Sequence, residues 1–257
     1  MEKKLNTPCL KPQTSYTIWF SQRTGSTLLA QALASTGIAG QPAEWLHQAE
    51  DSLAPLSTAG AVTLRQTLWK QGSTPNFVFG IKVSFYEPFF SKVIALFKHL
   101  PECTNRDLSP GAVWDCTFPN SQHIFMTRRN KIRLAVSWWK AIQSGEWHRL
   151  KGTKPAEADL AQAYSYEAIN HLLVESVLRE AGMQAFFSET GIKPLTIVYE
   201  DFIANYTGTI RRVLAFLGLE DDKAAIAEPA TEKLADSLTE EWVQRFRKER
   251  QRGWENR

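Results

Sequence analysis

Tyr16-Thr17-Ile18-Trp19-Phe20-Ser21-Gln22-Arg23-Thr24-Gly25-Ser26-Thr27-Leu28-Leu29 changes its period in the middle, and that change decides the fold. Tyr16–Ser21 is a short apolar run rich in β-formers and reads as a strand. From Ser26 to Ser35 the pattern is helical, with Leu29, Ala32 and Leu33 on one face and Gly37 just past the end. A glycine turn that opens a helix leaves backbone N–H groups unpaired and aimed outward, in the partial positive charge of the helix N-terminus. The turn Ser21–Thr27 therefore reads as an anion cradle, with Ser26 and Thr27 adding hydroxyl donors and Arg23 a fixed cation. A plain capped βα turn uses the same residue types and is the bland alternative.

Further along, Phe77–Val83, His123–Thr127 and Pro194–Tyr199 read as strands. Helical patterns lie between and after them. Lys131–Gln143 carries Ile132, Ala135, Val136 and Trp139 on one face, and Thr207–Leu217 ends at Gly218. The segment 156–187 holds one long helix or two joined near Gly182, and Ser237 with Glu240 forms a capping-box pattern before a last helix bearing Trp242, Val243 and Phe246. Helices separating apolar strands argue for an α/β, P-loop-like three-layer fold, a central parallel sheet flanked by helices. Residues 101–120, with their prolines and no clear period, read as a loop or insertion, and 1–14 as a flexible N-terminus of a single domain spanning 1–257.

The chain has 257 residues, 43% hydrophobic and 22% charged, with a net charge of +3, so it has the apolar material for a packed core and too balanced a charge for disorder. No apolar run approaches the roughly 18 residues of a membrane helix, and no secretory signal is visible, so a cytoplasmic protein is expected. Three cysteines are too few for a disulfide scaffold. His99, Cys103, Cys116 and His123 match no common zinc spacing, and no metal is expected. The net charge alone does not imply nucleic-acid binding, although basic residues gather at Arg128, Arg129, Lys131 and Arg133, and from Arg245 to Arg252; such runs are also ordinary solvated helix faces.

The loop is not a nucleotide P-loop, because Phe20 and Ser26 stand where that pattern needs a glycine and a lysine. Nor does the third strand end in a metal-binding aspartate. It runs into Thr127-Arg128-Arg129-Asn130, whose arginines suit a phosphate held without an ion between. Arg129, with Ser137 eight residues later, reads as a second anion cradle, the alternative for Arg129 alone being a surface ion pair.

These residues resemble a known family. Ser21–Thr27 is similar to the 5′-phosphosulfate loop of sulfotransferases that use 3′-phosphoadenosine 5′-phosphosulfate (PAPS), Arg129-Asn130 with Ala135-Val136-Ser137 resembles their 3′-phosphate motif, and Tyr199-Glu200-Asp201-Phe202 resembles another recurring segment. The nearer resemblance is to the bacterial trehalose and lipopolysaccharide sulfotransferase family. It rests on Ser21–Leu29, Gly40-Gln41-Pro42-Ala43-Glu44-Trp45, Gly80-Ile81-Lys82, Val136-Ser137-Trp138-Trp139-Lys140-Ala141 and the Trp147 neighbourhood, in the same order along most of the chain. Arg252-Gly253-Trp254-Glu255-Asn256 is distantly similar to the segment that covers the cofactor in cytosolic sulfotransferases.

The resemblance implies in-line transfer of a sulfuryl group from PAPS to a hydroxyl of a carbohydrate or glycolipid, without a metal; a homodimer is compatible with it. Gln22, Arg23, Thr24, Gly25, Ser26, Thr27, Arg129 and Ser137 are then expected to bind PAPS, and Glu44 to be the general base, with His47 its rival and a solvated loop carboxylate the bland reading of Glu44. Arg23 is expected to stabilise the leaving phosphate, and Lys82 to add a cation unless it is a solvated strand end. Trp139 and Trp147 are candidates to stack on the acceptor, whereas Trp19, Trp69 and Trp242 are expected in the core. A nucleotide kinase and a non-catalytic nucleotide-binding protein are the competing readings.

Overall fold

A computed structural model describes residues 11–48, 57–104, 107–149, 151–154, 160, 162–219, 224–230, 236–252 and 254. Residues 1–10 and part of the C-terminal Arg252–Asn256 segment thus lie outside the described residues. Four parallel strands, β1 (Thr14–Phe20), β2 (Val78–Ser84), β3 (Ser121–Thr127) and β4 (Leu195–Val198), form one sheet in the order β2-β1-β3-β4. Because successive side chains leave a strand on opposite faces, β1 sends Trp19 to one side and Tyr16, Ile18 and Phe20 to the other.

Each face is covered. Trp19, Phe79, Ile81 and Phe125 pack beneath α3 (Thr58–Gly72), α4 (Phe89–Phe97), α5 (Pro110–Thr117) and the C-terminal half of α7 (Tyr166–Thr190). On the opposite face Ile18, Ile124 and Ile197 meet α1 (Ser26–Ser35), α8 (Tyr199–Ala204) and α9 (Tyr206–Phe216). A third cluster joins α6 (Lys131–Ser144), the start of α7 and α10 (Ser237–Arg250) through Val136, Trp138, Ile169, Trp242 and Phe246. The architecture is the expected α/β sandwich of helices, parallel sheet and helices. Trp19, Trp69 and Trp242 are core residues, as expected.

Local differences from the sequence reading have local causes. The 101–120 stretch contains α5, whose start is written in the sequence as Ser109-Pro110: the serine hydroxyl accepts from Ala112 N–H, and proline occupies the first turn. Gly182 breaks nothing. It lies inside α7 because its bare backbone packs on Phe85, where an added Cβ would stand 2.6 Å from the ring. The capping box before α10 sits one residue earlier than Ser237–Glu240: Asp236 Oδ1 accepts from Thr239 N–H at 2.9 Å, and Thr239 Oγ1 faces the Asp236 N–H at 3.5 Å. Glu240 is instead paired with Arg133.

Candidate active site

The strand-to-helix turn after β1 is tightly braced. Arg23 and Gly25 both have positive φ, 66° and 85°, and Gly25 caps α1 without any side-chain hydrogen bond, so the first N–H groups of that helix keep their outward aim. Thr24 Oγ1 donates to Ser21 O at 2.8 Å and stiffens the turn. Gln22 is used up structurally, donating through Nε2 to Ser84 Oγ and accepting from Arg179 Nη1, each at 2.8 Å. Thr24 and Gln22 therefore shape the loop through their side chains rather than presenting them to a ligand. Ser26 is buried at the first position of α1. Arg23 Nε donates to Ser137 Oγ at 2.9 Å, which brings together two residues that are 114 apart in sequence. Burial, reinforced by the neighbouring Arg128 and opposed by Tyr199, lowers the Arg23 pKa to about 10, so its charge persists at neutral pH.

Glu44 reaches this loop through backbone geometry. Gly40 (φ 70°) turns so close to β2 that a Cβ would meet Gly80 N at 2.7 Å, and Tyr16 OH, packed on Gly80, donates to Ala39 O at 2.6 Å. Residues 41–43 then run beside β2, with Gln41 N–H donating to Gly72 O at 2.8 Å and Lys82 N–H to Ala43 O at 3.0 Å. Glu44 thereby lands 3.0 Å from Lys82 Nζ. The Lys82 side chain is only 7% exposed, so it is not a solvated strand end; burial lowers its pKa while Glu44 raises it. Lys82 Nζ also donates to Thr27 Oγ1 at 2.7 Å. The carboxylate, the ammonium and the first turn of α1 thus form one contiguous group.

The second basic element divides in two. Arg128 turns inward, its guanidinium over the Tyr199 ring at 4.5 Å and its Nη1 donating to Arg23 O at 3.3 Å, while its buried Nε has no hydrogen-bond partner. Arg129 turns outward and makes a two-pronged pair with Asp201 at 2.8 and 2.5 Å, with more than half of each side chain exposed. Arg129 and Ser137 have different partners, Asp201 for the first and Arg23 for the second. A cavity of about 480 Å³ opens beside the inward arginine, lined by Arg128, Asn130, Arg133, Tyr199, Glu200 and Ile203 among others. Tyr199 closes the gap between this cavity and the loop, within 2.7 Å of where a Gly25 Cβ would lie.

Other candidates stand apart. The His47 ring, on α2 (Trp45–Gln48), stacks on Phe89 at 4.2 Å between ring centroids and faces Tyr86, which places it in an aromatic cluster rather than beside Thr27. Trp139 donates through Nε1 to Ala163 O at 2.7 Å and packs on the α6–α7–α10 cluster, away from the loop. Trp147 is at the site: its carbonyl accepts from Arg23 Nη1 at 2.5 Å and its ring is 40% exposed. His148, which the sequence reading passed over, lies with Nε2 3.3 Å from Thr27 Oγ1. Arg128 and Tyr199 were noticed only as members of motifs; what marks them is their inward aim, which no spacing rule reports. Of the residues weighed for zinc, His123 is a core side chain whose Nδ1 accepts from Trp19 Nε1 at 2.9 Å. Among the described residues no three His, Cys, Asp or Glu side chains are grouped to hold a metal ion, and no helix is long and apolar enough to cross a membrane.

A glycine turn without a side-chain cap, Arg23 and Lys82 beside it and the Glu44 carboxylate on Lys82 make up the candidate site. Residues 15–249 match the Stf0 sulphotransferase family, and the chain belongs to it. It is 30% identical over 265 residues to the trehalose 2-sulfotransferase of Mycolicibacterium smegmatis, covering 93% of this chain and 96% of that one. It is 31% identical over 260 residues to the trehalose 2-sulfotransferase of Mycobacterium tuberculosis, covering 91% and 94%. Among solved structures it is similar to a sulfotransferase from Alicyclobacillus acidocaldarius, at 12% identity and a TM-score of 0.49 over 92% of this chain and 91% of the other. The protein is a sulfotransferase enzyme, and the kinase and non-catalytic readings give way.

Proposed function

We propose that the enzyme moves a sulfuryl group from PAPS to a hydroxyl of a carbohydrate or glycolipid acceptor, with Glu44 as general base. The observation that carries this reading is the contiguous Glu44–Lys82–Thr27 group on the uncapped α1 turn, where a base and an anion cradle share one buried lysine. The donor fits the residues present: the α1 N–H groups, Arg23 and Lys82 offer an anion site, and the cavity beside Arg128, whose buried Nε makes no hydrogen bond and lies 3.8 Å from Glu200 Oε1, has room for a nucleoside.

PAPS supplies an activated sulfur, whose bond to a phosphate oxygen breaks as the acceptor oxygen bonds to it. Glu44 takes the acceptor hydroxyl proton onto a carboxylate oxygen, held in place by its ion pair with Lys82 at 3.0 Å. Arg23, Lys82 and the first N–H groups of α1 hold the negative charge that gathers on the leaving phosphate oxygen. Arg128 and Tyr199 flank the nucleoside cavity. Arg129 exchanges its exposed Asp201 partner for the 3′-phosphate, a trade that costs little because solvent already screens a surface ion pair. The Trp147 ring offers an apolar face to a sugar, and the two trehalose-acting relatives favour a sugar acceptor.

Calorimetric titration with 3′-phosphoadenosine 5′-phosphate, beside ADP and ATP with and without magnesium, tests the reading. Magnesium-independent binding of the 3′-phosphate compound, weakened in Arg128→Ala and Arg129→Ala, is expected. Magnesium-dependent ATP binding indifferent to the 3′-phosphate would overturn it.

A further inference from the structure

Beyond α6 the chain doubles back over the anion loop. Gly145 ends the helix in the left-handed conformation (φ 69°), Arg149 donates to both carboxylate oxygens of Glu146 at 2.8 and 2.6 Å, and Arg23 Nη1 seizes Trp147 O at 2.5 Å. These ties deliver the next side chain, His148, to Thr27, with Nε2 3.3 Å from Oγ1. On its other side the same oxygen receives Lys82 Nζ at 2.7 Å.

The proton inventory allows His148 to accept from Thr27. An ammonium only donates, so Thr27 Oγ1 accepts from Lys82, and the hydroxyl has one proton left to give. His148 Nε2 is within reach of it. Partial desolvation, then the positive charges of Arg23 and Lys82, hold the His148 pKa near 4 against the opposing pull of Glu44, so the ring is neutral. A neutral ring that accepts at Nε2 carries its proton on Nδ1.

We infer that His148 is a positioning residue for the transfer reaction: by accepting the Thr27 hydroxyl proton it turns the Thr27 oxygen toward Lys82, which holds Nζ between the first turn of α1 and the Glu44 carboxylate. The kinetic consequence rests on the sulfuryl-transfer reading above; the hydrogen-bond chain does not. His148 acts on the base through two intermediaries, so its loss reaches the chemical step more than donor binding.

Two measurements on the full chain test this. In ¹⁵N imidazole spectra, His148 is expected to stay neutral with its proton on Nδ1 between about pH 5 and 8, and Thr27→Val should move the Nε2 resonance. A ring titrating near the ordinary histidine value, or an Nε2 resonance indifferent to Thr27→Val, overturns the inference whether or not the protein transfers sulfuryl groups. In kinetics, His148→Ala should lower kcat about 10–100-fold with the donor KM within about threefold, and His148→Gln, whose amide oxygen accepts in place of Nε2, should recover most of the loss where His148→Leu does not. Unchanged kcat in His148→Ala, or equal losses in the Gln and Leu variants, overturns it. A wild-type protein that binds no 3′-phosphoadenosine compound would sink the proposed function instead, and the spectra would still decide the His148 contact.

Discussion

At the residue scale the site depends on positions where one atom more or less changes its chemistry. Glu44→Gln keeps the shape of the side chain but cannot take a proton, so kcat should fall by about 10²–10⁴ while calorimetric affinity for 3′-phosphoadenosine 5′-phosphate stays within about threefold. A comparable loss of affinity would make Glu44 a binding group instead. Gly25 is the steric counterpart. An alanine there would hold φ 85° and place its Cβ 2.7 Å from the Tyr199 ring, on which Arg128 is stacked. Gly25→Ala should therefore lower stability by about 1–3 kcal/mol and weaken product binding at least about tenfold. Gly37 provides the control, because it has φ 70° with nothing within 4 Å of a Cβ. Gly37→Ala should cost about 1 kcal/mol in denaturant unfolding and leave product binding unchanged.

At the scale of elements, the turn that carries Arg128 and Arg129 is held by the two helices beside it. Glu180 of α7, almost wholly buried, accepts from Thr127 Oγ1 at 3.0 Å and from Lys131 Nζ at 2.5 Å, tying the end of β3 to the start of α6. The Glu200 carboxylate at the start of α8 accepts from Arg129 N–H at 3.0 Å and from Asn130 N–H at 3.3 Å. Glu180→Ala leaves the Lys131 ammonium, a quarter exposed, with Thr127 Oγ1 but no carboxylate, and should destabilise the fold by about 1–3 kcal/mol in urea unfolding. β3 also carries an acid-sensitive group. Burial lowers the His123 pKa to about 4, below its ordinary 6.5, so the folded state holds the ring neutral beside Trp19. Above the unfolded value both states are neutral and nothing is lost. As pH falls through 6.5 the unfolded chain binds the proton first, and the loss is complete only below about 4. His123 should thus account for about 2 kcal/mol of the fall in unfolding free energy between about pH 7 and 5, beside a further share from His148, and only the His123 share should vanish in His123→Gln.

At the scale of the whole molecule, a net charge of +3 says little, but the fold gathers Arg23, Lys82, Arg128 and Arg133 near the C-terminal end of the parallel strands. Phosphates that meet these cations are held partly by charge, and salt screens that part. Affinity for 3′-phosphoadenosine 5′-phosphate should therefore fall about tenfold or more on raising salt from about 0.05 to 0.5 M, whereas adenosine, uncharged, should barely respond. The layers, the parallel sheet and the glycine turn into α1 were legible along the chain. Short apolar β-rich runs alternating with period-3.6 helices admit few arrangements, and a glycine at a helix start is a local feature whose consequences are local. α5 was missed, because its Ser109-Pro110 start signal lies in a stretch with no clear apolar period. The sequence did not disclose that Arg128 rather than Arg129 turns inward, that Ser137 receives Arg23, or that His148 folds back on Thr27 while His47 and Trp139 turn to aromatic and apolar clusters. Adjacent side chains point in directions set by packing across elements, and contacts such as Arg23–Ser137 join residues more than a hundred positions apart. Pattern along the chain reports what a residue can do, and only the tertiary fold decides what it meets.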